Sequence, residues 1–156
     1  MAATPNRSTC TIDGNKFDAE EIFFALNTPA DKAGMPQMGG LQITIRVVAD
    51  FHDNQNLPFG TLNSLFNLAN VATNANIKPM KLEYWQDDSM QNALCSISFN
   101  GFISKYQTCN PAGQASGSQF GTGTGNSADG NINHMLILEL TPVVNAQNFQ
   151  SLTFAN

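Results

Sequence analysis

The side chains best able to do chemistry are few and scattered. His52 and His134 are the only two histidines. With an Asp or Glu they could form a three-ligand metal site, but nothing in their spacing puts them on one face of an element. Asp87–Asp88 could be an acid pair; neighbours in a strand point to opposite faces, and Asp87–Asp88–Ser89 reads better as a turn. Gly123–Thr124–Gly125–Asn126–Ser127–Ala128 fits the loose GxGxxA pattern of dinucleotide folds. That motif works only between a strand and a helix whose N-terminus receives the pyrophosphate, and here the surroundings are Gly/Ser loop. Cys10, Cys95 and Cys109 are odd in number and show no CxxC spacing, which argues against a disulfide framework and a zinc site. Tyr84, Trp85 and Phe102 could stack on a sugar or base, but core or interface packing accounts for them better. No catalytic constellation results, and no cofactor or metal is expected.

Composition points elsewhere. The hydrophobic fraction is an ordinary 42%, but only 12% of the residues are charged, against roughly 25% in an average globular chain. Neutral amides fill the difference, as in Asn54–Gln55–Asn56. A surface so poor in charge suggests faces turned toward other protein, because interface cores are depleted in charge. The net charge is −5, and the seven basic residues from Arg7 to Lys105 make no patch, so nucleic acid is not an expected partner. No stretch approaches the roughly 20 apolar residues of a membrane span, and membrane insertion is not expected. Met1 to Ser8 has no apolar h-region, which predicts a cytoplasmic chain unless it is exported without a cleaved signal.

The elements follow from periodicity. Thr9–Ile12, the turn Asp13–Gly14 and Lys16–Leu26 read as a hairpin. Asn27–Gly40, with Pro29, Pro36 and three glycines, is an irregular connection long enough to suggest function. Leu41–Val48 alternates, with Leu41, Ile43, Ile45 and Val47 on one face. After a polar turn, Leu62, Leu65, Phe66 and Ala69 share one face of a helix with Thr61 as its N-cap. Pro79–Gln86 returns to strand, with Met80, Leu82 and Tyr84 together. Ala93, Cys95, Ile97 and Phe99 follow, and Phe102 breaks their parity after Asn100–Gly101. That break reads as a bulge in one long strand or as a hairpin turn. Residues 110–131 form a Gly/Ser-rich, low-complexity loop. His134–Val144 is a strand apolar on both faces: Met135 and Ile137 on one, Leu136, Leu138 and Leu140 on the other. Such a strand needs a second layer or a neighbouring subunit. The tail, with Phe149, Leu152 and Phe154, can add a short strand. The sum, taken as a single domain over 1–156, is mainly β: a small antiparallel β-barrel or sandwich of about six strands flanked by one α-helix.

The order of these elements resembles the Hcp-type proteins, the tube subunits of type VI secretion systems, whose architecture phage tail-tube proteins share. The likeness rests on Thr11–Ile12–Asp13–Gly14 with Lys16–Phe17, on Asp31–Lys32–Ala33–Gly34–Met35–Pro36 before Gly39–Gly40, and on the helix. It extends through Lys81–Leu82–Glu83–Tyr84 and Cys95–Ser96–Ile97–Ser98–Phe99–Asn100–Gly101–Phe102–Ile103–Ser104–Lys105–Tyr106 to the strand His134–Val144. It departs at the long loop 110–131, at the tail and in the low charge. The resemblance implies a homo-hexameric ring, rings stacked into a tube, and sheath, spike and effector proteins as partners. It implies a bacterial cytoplasmic protein that is then secreted. It makes Asp31, Lys32, Ala33, Gly34, Met35 and Pro36 a ring-stacking loop, and it favours the bulge over the hairpin at Asn100–Gly101. Met135 and Ile137 are the candidate subunit-interface strand. Three other readings stay open: a tail-tube protein of another contractile particle, a monomeric barrel that binds a partner through 110–131, and a metal enzyme using His52 or His134.

Overall fold

The computed structural model describes residues 8–35, 42–71, 73–109, 134–143 and 153–156. The Gly/Ser-rich loop 110–131, the GxGxxA stretch within it, Pro36, Leu41, Phe149 and Leu152 lie outside the described residues.

The chain opens with β1 (Ser8–Ile12) and β2 (Asn15–Ala19), antiparallel in the register Cys10↔Phe17. Asp13 and Gly14 both take positive φ, 49° and 80°, the backbone that a two-residue hairpin matching the strand twist requires. Lys16–Leu26 does not run as one strand. β2 ends at Ala19, the chain bends at Glu20, and β3 (Glu21–Asn27) pairs instead with β4 (Gln42–Asp50). The Glu20 N–H donates to Val48 O at 2.8 Å, which pins the bend against β4.

β5 (Lys78–Trp85), β6 (Ala93–Cys109) and β7 (Met135–Pro142) complete the main path, ordered β2-β1-β5-β6-β7-β4-β3. Its two ends, β2 and β3, are consecutive in the chain, so the sheet curls into a barrel-like wall without a closed ladder. β8 (Thr153–Ala155) lies off this path, against β6.

The long β6 is the spine. Its first half pairs with β5 and its second with β7, and Gly101 belongs to both ladders. A Cβ at Gly101 would sit 2.6 Å from the Thr141 carbonyl oxygen, so the approach of β7 requires glycine here. The hairpin alternative at Asn100–Gly101 is thereby excluded. The bulge lies at Ser104, where the register shifts between Ile103 and Lys105 and Ser104 Oγ donates to Glu139 O at 3.1 Å. The parity change turns Tyr106 toward the core that Ile103 already faces.

The helix α1 (Phe59–Asn70) starts earlier than Thr61, which lies inside its first turn. Pro58 is the N-cap, and its carbonyl accepts the Leu62 N–H at 3.1 Å without any side-chain cap. Leu65 is fully buried, while Leu62, Leu68 and Ala69 pack on the core. Phe66 is half exposed and meets Tyr106 edge-on at 5.6 Å. Past the helix, a short 3-10 turn (Asn74–Asn76) brings Asn76 Nδ2 to the carbonyls of Leu68 and Val71, satisfying the helix end.

The inner face buries Ile12, Phe17, Ile45, Val47, Leu82 and Leu138 around Leu65. Fully burying one such side chain is worth about 1.5–3 kcal/mol. β7 is buried on both faces, as its pattern predicts. Leu136, Leu138 and Leu140 join the main core, and Met135 and Ile137 form a second cluster with Val48 and Cys109.

Candidate functional site

The β3–β4 connection carries a structured turn at Asp31. The Asp31 carboxylate Oδ1 accepts the N–H groups of Ala33 and Met35, both at 2.9 Å. Its own N–H donates to Met35 O at 2.9 Å, its carbonyl accepts the Gly34 N–H at 3.0 Å, and Gly34 takes φ 81°. One short side chain thus organises the turn from within, as Asp does in Asx turns. Lys32, Ala33 and Met35 stand in solvent around it. The expected stacking residues Asp31 to Met35 therefore form one compact, exposed unit.

Met135 and Ile137 are placed differently. Both are buried in the single chain, 5% and 1% exposed, so they have almost no side-chain surface left for a neighbour. The second layer they need is supplied locally by Val48 and Cys109.

The outer face of the wall carries two charge triads of the same design. Glu139 sits between Arg46 and Lys105, at 3.8 and 3.7 Å, across three neighbouring strands. Glu83 sits between Lys16 and Lys81, at 3.9 and 3.7 Å. Lys16 also lies 5.2 Å from the centre of the Trp85 ring, whose Nε1 donates to Thr9 Oγ1 at 3.1 Å. In each triad one acid answers two cations, so each group carries a residual single positive charge. The partly exposed pairs of Glu139 are worth about 0–1 kcal/mol each, whereas Glu83 is buried beneath its two lysines.

The stacking platform of Tyr84, Trp85 and Phe102 does not exist as a unit. Tyr84 packs on the core, Trp85 stands on the outer face under Lys16, and Phe102 lines an apolar hollow of about 230 Å³ with Leu68, Val71 and Ile77. The histidines, by contrast, come together despite their spacing. Their rings lie 5.2 Å apart where β4 ends and β7 begins, and Phe51 lies 5.1 Å from His134. His134 Nδ1 is buried with no hydrogen-bond partner among the described residues. No group of three His, Cys, Asp or Glu side chains among them converges as a metal site would need. Cys10, Cys95 and Cys109 are free thiols, and full burial pushes the Cys10 thiol far above its usual range.

Sequence reasoning missed the exposed apolar side chains on the sheet edges. Phe23 and Leu26 on β3 are half exposed, Leu94 on β6 is exposed, and Phe154 on β8 is 70% exposed. Periodicity alone assigns such residues to a core; only the topology shows that they stand exposed among the described residues.

No family model matches the sequence, and no curated protein matches it significantly. The fold, however, is similar to that of solved proteins. Hcp1 from Flavobacterium johnsoniae matches with a TM-score of 0.57 and 12% identity, over 86% of this chain and 89% of that one. The Hcp1 protein from the E. coli EAEC 042 pathovar matches with a TM-score of 0.57 and 11% identity, over 97% of both chains. A structure described as a type six secretion system protein matches with a TM-score of 0.54 and 11% identity, over 86% of this chain and 78% of that one. At these identities the likeness is one of fold.

Proposed function

We propose that the protein is a non-enzymatic structural subunit that assembles with copies of itself into rings, and that the rings stack into the inner tube of a type VI secretion or related contractile injection system. The observation that carries this reading is the likeness of fold to Hcp proteins along 86–97% of the chain. The low charged fraction fits a molecule whose faces meet protein rather than water. A hexamer is the ring size the resemblance implies, with sheath, spike and effector proteins as partners and secretion without a cleaved signal.

In this reading the Asp31 turn, Asp31 to Met35 continuing into Pro36, is the ring-stacking element. It is exposed and pre-organised, so little conformational entropy is lost when it docks. Met135 and Ile137 act as the buried backing of the wall, packing with Val48 and Cys109 where β7 runs between β4 and β6. Size-exclusion chromatography with light scattering tests the reading. A multi-subunit particle is expected at tens of micromolar, and a monomer at every concentration and salt would refute it.

A further inference from the structure

The sheet has open edges, and two of them lack the usual protection. An exposed edge strand is normally blunted with Lys, Pro, a bulge or an inward charge. β3 runs seven residues, Glu-Ile-Phe-Phe-Ala-Leu-Asn, with no Pro and no charge beyond Glu21. It ends the hydrogen-bonded path, so among the described residues one side of its backbone has no strand beside it. It also shows two half-exposed side chains, Leu26 on the face that Ile22 and Phe24 turn to the core and Phe23 on the outer face.

The second edge is β8. Gly101 pairs with Pro142, and the Asn100 carbonyl accepts the Val143 N–H at 2.9 Å. Ser98, Ile97 and Ser96 then pair with Thr153, Phe154 and Ala155. β5 occupies the other side of this part of β6, so β8 continues the side that β7 began. β8 carries no charge, and all three of its residues are exposed. Phe154 pairs with Ile97, whose side chain is in the core, and so lies on the core-facing side of the wall. It is nonetheless 70% exposed, an aromatic placed on the apolar face with little cover among the described residues. Leu94, exposed on β6, adds to the same end of the wall.

We propose that these two edges are the halves of one contact between copies: the β8 edge with Phe154 of one copy meets the β3 edge with Phe23 and Leu26 of the next. The occupant is a second copy because both halves are present on this chain, both are uncharged apart from Glu21, and each offers edge backbone beside an exposed apolar side chain that an edge of the same kind can pair with. A contact between two different patches is heterologous, and repeating it closes a ring or extends a filament. The inference rests on the tube-subunit reading and gives the C-terminal strand a role within it.

The test places a photo-crosslinking benzoylphenylalanine at position 154 in the full chain, mixed with isotopically heavy chain so that crosslinks between copies are distinguished. Crosslinked peptides from Glu21–Asn27 of a different copy are expected. Phe154→Asp should raise the concentration for half-assembly at least tenfold with an unchanged circular-dichroism spectrum, because Phe154 buries little in its own chain. Particles that form but crosslink from position 154 to other segments would overturn this contact while leaving the tube reading intact. A chain that stays monomeric would overturn both.

Discussion

Replacing Gly101 by Ala should destabilise the protein although it adds only one methyl group. The new Cβ would lie 2.6 Å from the Thr141 carbonyl oxygen and 3.1 Å from a Phe99 ring carbon. Ordinary contact begins near 3.4 Å, so β6 and β7 must part by roughly 0.8 Å at this point in a close-packed wall. The obstructing atom belongs to a ladder, and it cannot swing away as a side-chain tip would. Overpacking of this kind costs about 1–3 kcal/mol. The alanine also restricts the unfolded chain, which offsets about 0.4–1 kcal/mol. At the centre of both ranges the net loss is about 1.3 kcal/mol, which lowers the melting temperature by roughly 3–5 °C for a chain of this size. Gly60→Ala is the control: it lies in α1, a Cβ there meets nothing within 4 Å, and a gain of about 0.5–1 kcal/mol is expected. Thermal melts followed by circular dichroism measure both. A Gly101→Ala protein that melts at or above the parent would refute the close approach of β7 as the reason for glycine.

Asp31→Ala should leave the melting temperature within about 1 °C, since the residue is exposed, yet speed hydrogen exchange at the Ala33 and Met35 amides that its carboxylate holds; unchanged exchange there would show that the turn does not depend on it. Burial raises the Asp18 carboxyl pKa, with Lys16 lowering it and Asp53 raising it again by lesser amounts. A raised folded-state pKa means the charged form is the disfavoured one: Asp18 stabilises fully below its unfolded pKa of about 3.9 and loses that contribution as pH rises through the folded value. Asp18→Asn should therefore match the parent at pH 3 and exceed it slightly at pH 7, while a deficit at pH 7 would reverse the sign. Cys95 and Cys109 are partly exposed and Cys10 is fully buried, so a thiol reagent should label the first two in the native state and Cys10 only after unfolding; early labelling of Cys10 would contradict its place in the core.

Local rules gave the elements their identities, while contacts distant in sequence moved their joints. Asp13–Gly14 needs positive φ at both positions, which few dipeptides accept, so the first hairpin is legible at once. Ile45 and Val47 alternate because one face of β4 is core. The double apolar pattern of β7 correctly signals two buried faces, but whether a neighbour or the same chain covers Met135 depends on Val48 and Cys109, far away in the sequence. Glu20 breaks the strand because its N–H reaches Val48. Phe102 gives a parity signal at the wrong place, because Gly101 is small for the sake of Thr141 and the bulge falls at Ser104. Thr61 looks like a cap by type, yet Pro58, with φ fixed at −64°, already begins the helix. His52 and His134 meet only because β4 and β7 are paired, which their separation in sequence conceals. Periodicity marks Asn27–Gly40 only as an irregular connection, and the resemblance alone singles out Asp31 to Met35, whose internal hydrogen bonds only the structure reveals; Phe154 is hidden because its exposure depends on the whole topology.

The most direct test of the assembly account is electron microscopy of the concentrated, negatively stained protein. The account predicts rings with an axial opening and short stacks of such rings, built from a chain whose isolated surface is poor in charge. Fields of uniform particles the size of one 16.8 kDa chain, unchanged as the concentration is raised, would contradict it.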